Sequence, residues 1–383
     1  MMAVFFYVQH LLGIGHLRRS VAIANGIARS GIPVHLASGG SPVANLKVDC
    51  DVDLIQLPPV RARDGDFTDL VDEQNNQIDD KWWRFRQEKL HGAWTRSRAP
   101  ILITESYPFA RRVMRHELLP LLDESRKQAF SKLNICSVRD IPQPKSKPSR
   151  VTEISQILDE YYDHILVHGD KKVATLEETF PTIVAGCSDL SVSYTGYVDT
   201  QSTDVEASQF ESDVLVSAGG GAAGLHIYRA AIHAAKNDKE NLWRLLVGHN
   251  IADSAFAELI AIKSDNVVVE RNRSDFRAVL KASTVSLSQA GYNTLVDVLR
   301  TGVASVLVPY AKDGEEEQTL RAKKFAAFGR AVVLEEDSLD PSWMLAAVAN
   351  ARALKEVDKR LLSLSINGAT QTALSVKQML SEL

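Results

Sequence analysis

The sequence predicts an α/β protein built from two Rossmann-like parallel-sheet domains, and three observations carry that expectation. Short continuous apolar runs alternate with helix-length stretches along most of the chain, as parallel strands buried on both faces require. Each half opens with such a run followed by a glycine-rich turn and a helix: Ala3–Val8 into Gly13-x-Gly15, and Val214–Ser217 into Gly219-Gly220-Gly221. Near the middle, Asp199–Glu211 (DTQSTDVEASQFE) is polar, acidic and aperiodic, the composition of a domain boundary. The division gives domains at 1–200 and 212–366, followed by a helix over 367–383.

Composition limits the function. With 383 residues, 45% hydrophobic and 24% charged, the chain has the make-up of a soluble protein able to bury two cores. A net charge of −4 gives no electrostatic basis for a nucleic-acid partner. Cys50, Cys136 and Cys187 are far apart, odd in number and outside any CxxC, and read as reduced core residues of a cytoplasmic protein. Met1–Val8 lacks the basic start of a signal peptide, and no run approaches the ~18 apolar residues of a membrane span. A cytoplasmic location is expected, with any attachment peripheral, on the inner face of the cytoplasmic membrane.

The first strand leads to a helix over Leu17–Arg29, ended by Gly31, and a strand at Pro33–Ser38. Its loop does not complete GxGxxG, so a dinucleotide fingerprint is lacking. Two readings stay open there. One is a tight turn with His16 capping the helix; the other is close backbone approach of a ligand at Gly13 and Gly15, with His16 as general base. Asp53–Leu57 is the next strand, after which Val60–Arg98 leaves the α/β rhythm and gathers three of the five tryptophans. Trp82, Trp83, Arg84 and Arg86 suit a membrane-interface helix, with rings at the headgroups and cations on anionic lipid. A core-packed helix with paired or solvated arginines is the other reading. Pro100–Thr104 is a buried strand, with Glu105 at its end as a second catalytic carboxylate or a helix cap. Pro108 is placed to start a helix carrying Arg111, Arg112 and Arg115. Strands at Ile135–Val138, His164–His168 and Ser191–Tyr194 complete this half, with a helix over Ile154–Tyr162. His168 either faces a ligand or is a satisfied buried histidine.

In the second half, consecutive glycines at Gly219, Gly220 and Gly221 remove Cβ obstruction so that backbone N–H groups can meet a phosphate. Strands follow at Trp243–Val247 and Val267–Glu270, the latter leading to Arg271, and then a helix over Asp275–Lys281. Ser283–Ala322 is the most informative stretch. A strand ending at Ser288 breaks at Gly291-Tyr292-Asn293 into a helix over Thr294–Thr301, and a second strand at Ala304–Pro309 runs into the acidic loop Lys312–Gln318. The helix start can bind an anion, Asp297 can accept ribose hydroxyls, and Glu317-Gln318 can hold a hydroxyl-rich group. Phosphate, ribose and sugar together describe a nucleotide sugar. An ordinary βαβ unit with a solvated acidic loop is the alternative.

The order of these pieces resembles the donor half of GT-B glycosyltransferases, most closely the inverting branch containing the UDP-GlcNAc transferase of peptidoglycan synthesis. Gly291, Thr294, Asp297, Glu317 and Gln318 sit at matching positions, with Asp297 where the branch usually has Glu. GIGHLRR, SYPFARR (106–112), RHELLPLL (115–122), VRDI (138–141), LVHGD (166–170) and YTGYV (194–198) also resemble a group of predicted bacterial glycosyltransferases, over nearly the whole chain. The resemblance implies two domains facing each other across a cleft, with a terminal helix returning to the first. It implies a UDP-linked donor with Arg271 at the nucleobase, largely through backbone, and inversion at the anomeric carbon.

Glycosyl transfer needs a base, compensation for the leaving diphosphate, and alignment of the two substrates. His16 is the base expected here, and the 219–221 loop with the 294 helix would meet the diphosphate without a metal. No cofactor is expected beyond the donor substrate; the expected partners are a nucleotide sugar and a lipid or small-molecule acceptor. Two rivals are a UDP-sugar 2-epimerase of the same fold, with Glu105 and Asp170 as candidate extra carboxylates, and a non-catalytic nucleotide-sugar-binding protein.

Overall fold

A computed structural model describes the chain except residues 1, 12, 64–65, 145–146, 182–189, 201–207, 220–223, 330 and 355–363, and the side chains of 66–68 and 313. Gly220, Gly221 and Cys187 lie outside the described residues. The chain divides into two compact units, one of Met1–Gln201 with Ser365–Leu383, the other of Ser202–Leu364.

In the first unit, β1 (Val4–Val8), α1 (Gly15–Arg29), β2 (Val34–Ser38) and β3 (Val52–Gln56) open a parallel sheet. The hairpin β4 (Arg61–Arg63) and β5 (Asp66–Val71) and the helix α2 (Asp80–Ser97) interrupt it. β6 (Ile101–Glu105), α3 (Arg115–Lys127), β7 (Leu133–Arg139), α4 (Pro148–Tyr161), β8 (His164–His168), the short α5 (Leu176–Thr179) and β9 (Ser191–Tyr194) complete it. The order is β3-β2-β1-β6-β7-β8-β9, and every pairing in it is parallel. β1 is buried at every residue, which accounts for its unbroken apolar run.

The second unit holds β10 (Ser212–Ser217), α6 (Leu225–Ala235), β11 (Trp243–Val247), α7 (Asp253–Ile262), β12 (Val267–Arg271), α8 (Phe276–Lys281) and β13 (Ser283–Gln289). It continues through α9 (Tyr292–Thr301), β14 (Ala304–Val308), α10 (Glu317–Ala327), β15 (Val332–Val333) and α11 (Pro341–Arg352), in the parallel order β12-β11-β10-β13-β14-β15. The last helix, α12 (Gly368–Ser381), packs on α1 in the first unit. Gly26 allows that contact, because a Cβ there would lie 2.8 Å from the Ala369 carbonyl oxygen.

Several expected elements shift. α1 and α9 each begin two residues early, so His16 and Asn293 fall in first helical turns. Pro108 does not start a helix: Ser106 and Arg111 both adopt left-handed backbone, and regular helix begins only at Arg115 after a 3-10 turn. Cys136 is buried, but Cys50 is exposed and is not a core residue.

Candidate active site

In the first sheet the strand order reverses between β1 and β6, so the connections leaving these neighbours diverge and open a crevice at their C-terminal ends. His16 stands in the first turn of the helix after β1, and Glu105 is the last residue of β6. The switch point brings them together. His16 Nδ1 lies 2.8 and 2.9 Å from the two carboxylate oxygens of Glu105. Arg19 Nη2 donates to Glu105 from one turn further along α1, and Ser106 Oγ donates to Glu105 Oε1 at 2.7 Å. Glu105 is therefore a buried, fully engaged carboxylate, and the helix-cap reading of it is not what the structure shows.

Burial pushes the His16 pKa down to about 4; the attraction of Glu105 opposes this, and Arg111 and Arg19 reinforce it. The ring is thus neutral at neutral pH. Nδ1 must then carry the proton to donate to Glu105, which leaves the lone pair on Nε2, an atom without a partner among the described residues. For Glu105, burial opposes ionisation, but His16, Arg19 and Arg111 outweigh it and hold the carboxyl well below its usual range. Gly13 is exposed, and a Cβ built on it would meet nothing within 4 Å, so space lies open beside this turn. His168 is remote from such a role. It is fully buried between Ser137 Oγ (2.7 Å) and Thr195 Oγ1 (2.8 Å), a satisfied core histidine.

The second sheet reverses order between β10 and β13, again at a switch point. Gly219, at φ +70°, follows β10, and its Cβ position lies 3.7 Å from Gln289 Oε1 at the end of β13. Gly219 and the end of β13, which leads into α9, therefore share one edge. Gly291 is the extended N-cap of α9 and offers no side-chain cap, so the first N–H groups at Tyr292, Asn293 and Thr294 lie at the positive end of the helix. Asn293 is exposed, Thr294 half-buried and Tyr292 buried.

The structure gives the other expected donor residues the following partners. Asp297 Oδ1 accepts from Arg277 Nε at 2.5 Å, so this carboxylate ties α9 to α8. Glu317 is buried and accepts from Arg321 at 2.6 Å, while Arg321 also donates to the Ala290 carbonyl at 3.3 Å. This pair supports the 289–291 turn from behind. Gln318 Oε1 accepts from the Tyr310 N–H at 3.1 Å, and both acidic-loop residues belong to the first turn of α10. Ser288 is fully buried, with its hydroxyl 2.9 Å from Ser217 and 2.7 Å from Ser286. Arg271 donates to the carbonyls of Gly248 and Ile251, pairs with Asp253 at 2.5 Å and lies over Phe256.

Arg86 is corrected as well. It is fully buried, donates to Glu117 at 2.5 and 2.9 Å, to Gln9 Oε1 at 2.7 Å and to the Gly39 carbonyl at 2.9 Å, and cannot reach lipid. Trp82 and Trp83 are half-buried against an apolar cluster with Leu11, Val60 and Leu70, whereas Arg84 remains exposed. The Arg86 network binds the loops after β1, β2 and β3 to α3. Sequence reasoning missed it; the cue was Gly39, where any Cβ would overlap Gln9 and Arg86.

Residues 215–374 match the glycosyltransferase family 28 C-terminal domain. A UDP-N-acetylglucosamine–N-acetylmuramyl-(pentapeptide) pyrophosphoryl-undecaprenol N-acetylglucosamine transferase of Alkaliphilus oremlandii is 33% identical over 147 residues, 36% of this chain and 40% of that protein. The enzyme of the same name from Bacillus subtilis is 28% identical over 123 residues, 31% and 34% of the two chains. The matched stretch thus spans well under half of each relative. Among solved structures, the glycotransferase of kitacinnamycin superposes with a TM-score of 0.66 at 15% identity over all of both chains. Acinetobacter baumannii MurG superposes at 0.58 and 14%, over 100% of this chain and 99% of its own. The chain has the GT-B glycosyltransferase fold, and its residues 215–374 are similar to the glycosyltransferase family 28 C-terminal domain.

Proposed function

We propose that this protein transfers a sugar from a nucleoside-diphosphate sugar, a UDP-sugar, to an acceptor hydroxyl, with His16 as base and Glu105 as the group that orients it. The observation that carries the reading is the His16–Glu105 contact at the first switch point. Nε2 takes the acceptor proton as the oxygen attacks the anomeric carbon and the diphosphate departs, and Glu105 stabilises the imidazolium so formed. The turn at Gly219 and the start of α9 supply N–H groups for the diphosphate. Family 28 similarity over this unit and the names of the relatives support uridine as the base.

The acceptor in this reading is lipid-linked, as in the relatives' names. The exposed Lys81, Arg84, Phe85 and Lys89 on α2 would bring the protein to the inner face of the membrane, since no helix among the described residues is long and apolar enough to cross one. Incubation with radiolabelled UDP-sugars and a lipid extract tests the proposal. Label should move to the lipid fraction with wild type and not with His16→Ala; an epimerised sugar, or binding with no transfer by wild type, would overturn it.

A further inference from the structure

The hairpin β4–β5 and the first turns of α2 belong to neither parallel sheet. With α3 they enclose a cavity of about 170 Å³, walled by Asp69, Gln77, Trp83 and His116 over the apolar Leu70 and Ile78. Leu70, Ile78 and Trp83 share an apolar cluster with Leu11, and the Leu11 carbonyl accepts from the Ala62 N–H at 3.0 Å. The cavity is therefore fastened to the segment that runs from β1 to His16.

We propose that this cavity is a subsite for a neutral, hydroxyl-rich ring, a pyranoside unit of the acceptor; the assignment to an acceptor rests on the glycosyl-transfer reading. Trp83 and His116 stack at 5.5 Å and 28°, and Trp82 braces Trp83 edge-on at 5.6 Å, which fixes the aromatic part of the cavity wall in place. Asp69 Oδ1 is buried with no hydrogen-bond partner among the described residues, an acceptor that gains free energy only when a donor arrives. Its other oxygen is paired with Arg63 at 3.2 Å. That pairing removes the net negative charge that would select a cation, so a neutral hydroxyl is the matching donor. Gln77 adds an amide with both donor and acceptor character, its backbone bridged to Val71. The volume is below the ~300–1,000 Å³ of pockets that enclose a whole ligand, so a single ring enters while the rest of the molecule stays outside.

Full-length protein is titrated with methyl β-glucoside, β-galactoside and N-acetyl-β-glucosaminide, followed by tryptophan emission and saturation-transfer NMR. At least one glycoside should give saturable, millimolar binding, weakened about tenfold in Asp69→Ala and also reduced in Trp83→Phe, with UDP affinity unchanged in both variants as evidence of an intact fold. Absence of saturable binding by all three glycosides overturns the proposal. So does binding that Asp69→Ala leaves unchanged, or tighter occupation by tetramethylammonium. Glycoside binding that depends on Asp69 in a protein that transfers no sugar would retain the subsite and reject the transferase reading.

Discussion

Nδ1 of His16 and the carboxylate of Glu105 meet within 2.9 Å although 89 residues separate them in the chain. No local pattern connects the two; parallel pairing of β1 with β6 does, because it sets the ends of these strands side by side. The contact fixes the tautomer, and Arg19 and Arg111 keep the carboxylate ionised, so the proposed base is neutral at neutral pH without titration.

His16→Ala is expected to lower kcat by about 10²–10⁴-fold, the usual contribution of a general base, with UDP affinity unchanged because the donor edge lies in the other unit. Glu105→Gln should lower kcat by a similar order, through lost control of the tautomer and of the developing positive charge. Single-turnover rates and UDP titrations measure both. A His16→Ala variant retaining more than about a tenth of the rate would reduce His16 to a positioning residue.

Acid should destabilise the fold before it removes any surface pairing. His16 and His168 have folded pKa values pushed down to about 4 and about 3 by burial, below the 6.5 of the free side chain. Between these values and 6.5 the unfolded chain binds more protons, so stability is fully present above pH 6.5 and falls toward pH 4. His16 alone contributes about 3 kcal/mol over that span. Glu105, held low, continues the loss below its ordinary 4.5. Urea midpoints at pH 7, 6, 5 and 4.5 should fall steadily, and a flat series would contradict the neutral state of these rings. The acidic limb of kcat/KM should correspondingly lie nearer 4 than 6.5.

The fold was legible because parallel strands buried on both faces leave an unbroken apolar signature, as Val4–Val8 and Val285–Ser288 show. Candidate residues stood out where backbone geometry demands a residue type, as at Gly219, or where a rare side chain follows a glycine loop, as His16 does. Side-chain partners were not. Asp297 and Glu317 look free for a ligand in sequence because Arg277 and Arg321 are met only after the helices fold. Arg86 looks solvated for the same reason. Its partners Gln9, Gly39 and Glu117 lie far from it in sequence on β1, β2 and α3 connections.

Arg86 and Arg84 should separate structure from membrane contact. Arg86→Met leaves Glu117 buried without its counter-charge and should cost about 3–5 kcal/mol, read as a lower urea midpoint. Arg84, Phe85 and Lys89 are exposed, so their combined alanine variant should keep the midpoint but sediment less with anionic liposomes, a difference that salt diminishes. Equal, negligible sedimentation of wild type and variant would remove the membrane role from α2.

The Glu317–Arg321 pair makes the sharpest test of the donor edge. Arg321 is fully buried and holds both the Glu317 carboxylate and the Ala290 carbonyl, whose peptide leads directly into the N-cap of α9. Arg321→Met strands a buried carboxylate and should destabilise the second unit by about 3–5 kcal/mol. Replacing both residues, as Arg321→Met with Glu317→Leu, removes the stranded charge and should restore most of that stability, since apolar groups of like volume often substitute for a buried pair. The bond to Ala290 stays lost. If the 289–291 turn positions the helix start for the diphosphate, the double variant should regain its urea midpoint while still binding UDP about five- to tenfold more weakly, the ~1 kcal/mol or slightly more of one lost hydrogen bond. Recovery of both properties together would mean that the pair serves packing alone and that the turn holds its shape without it.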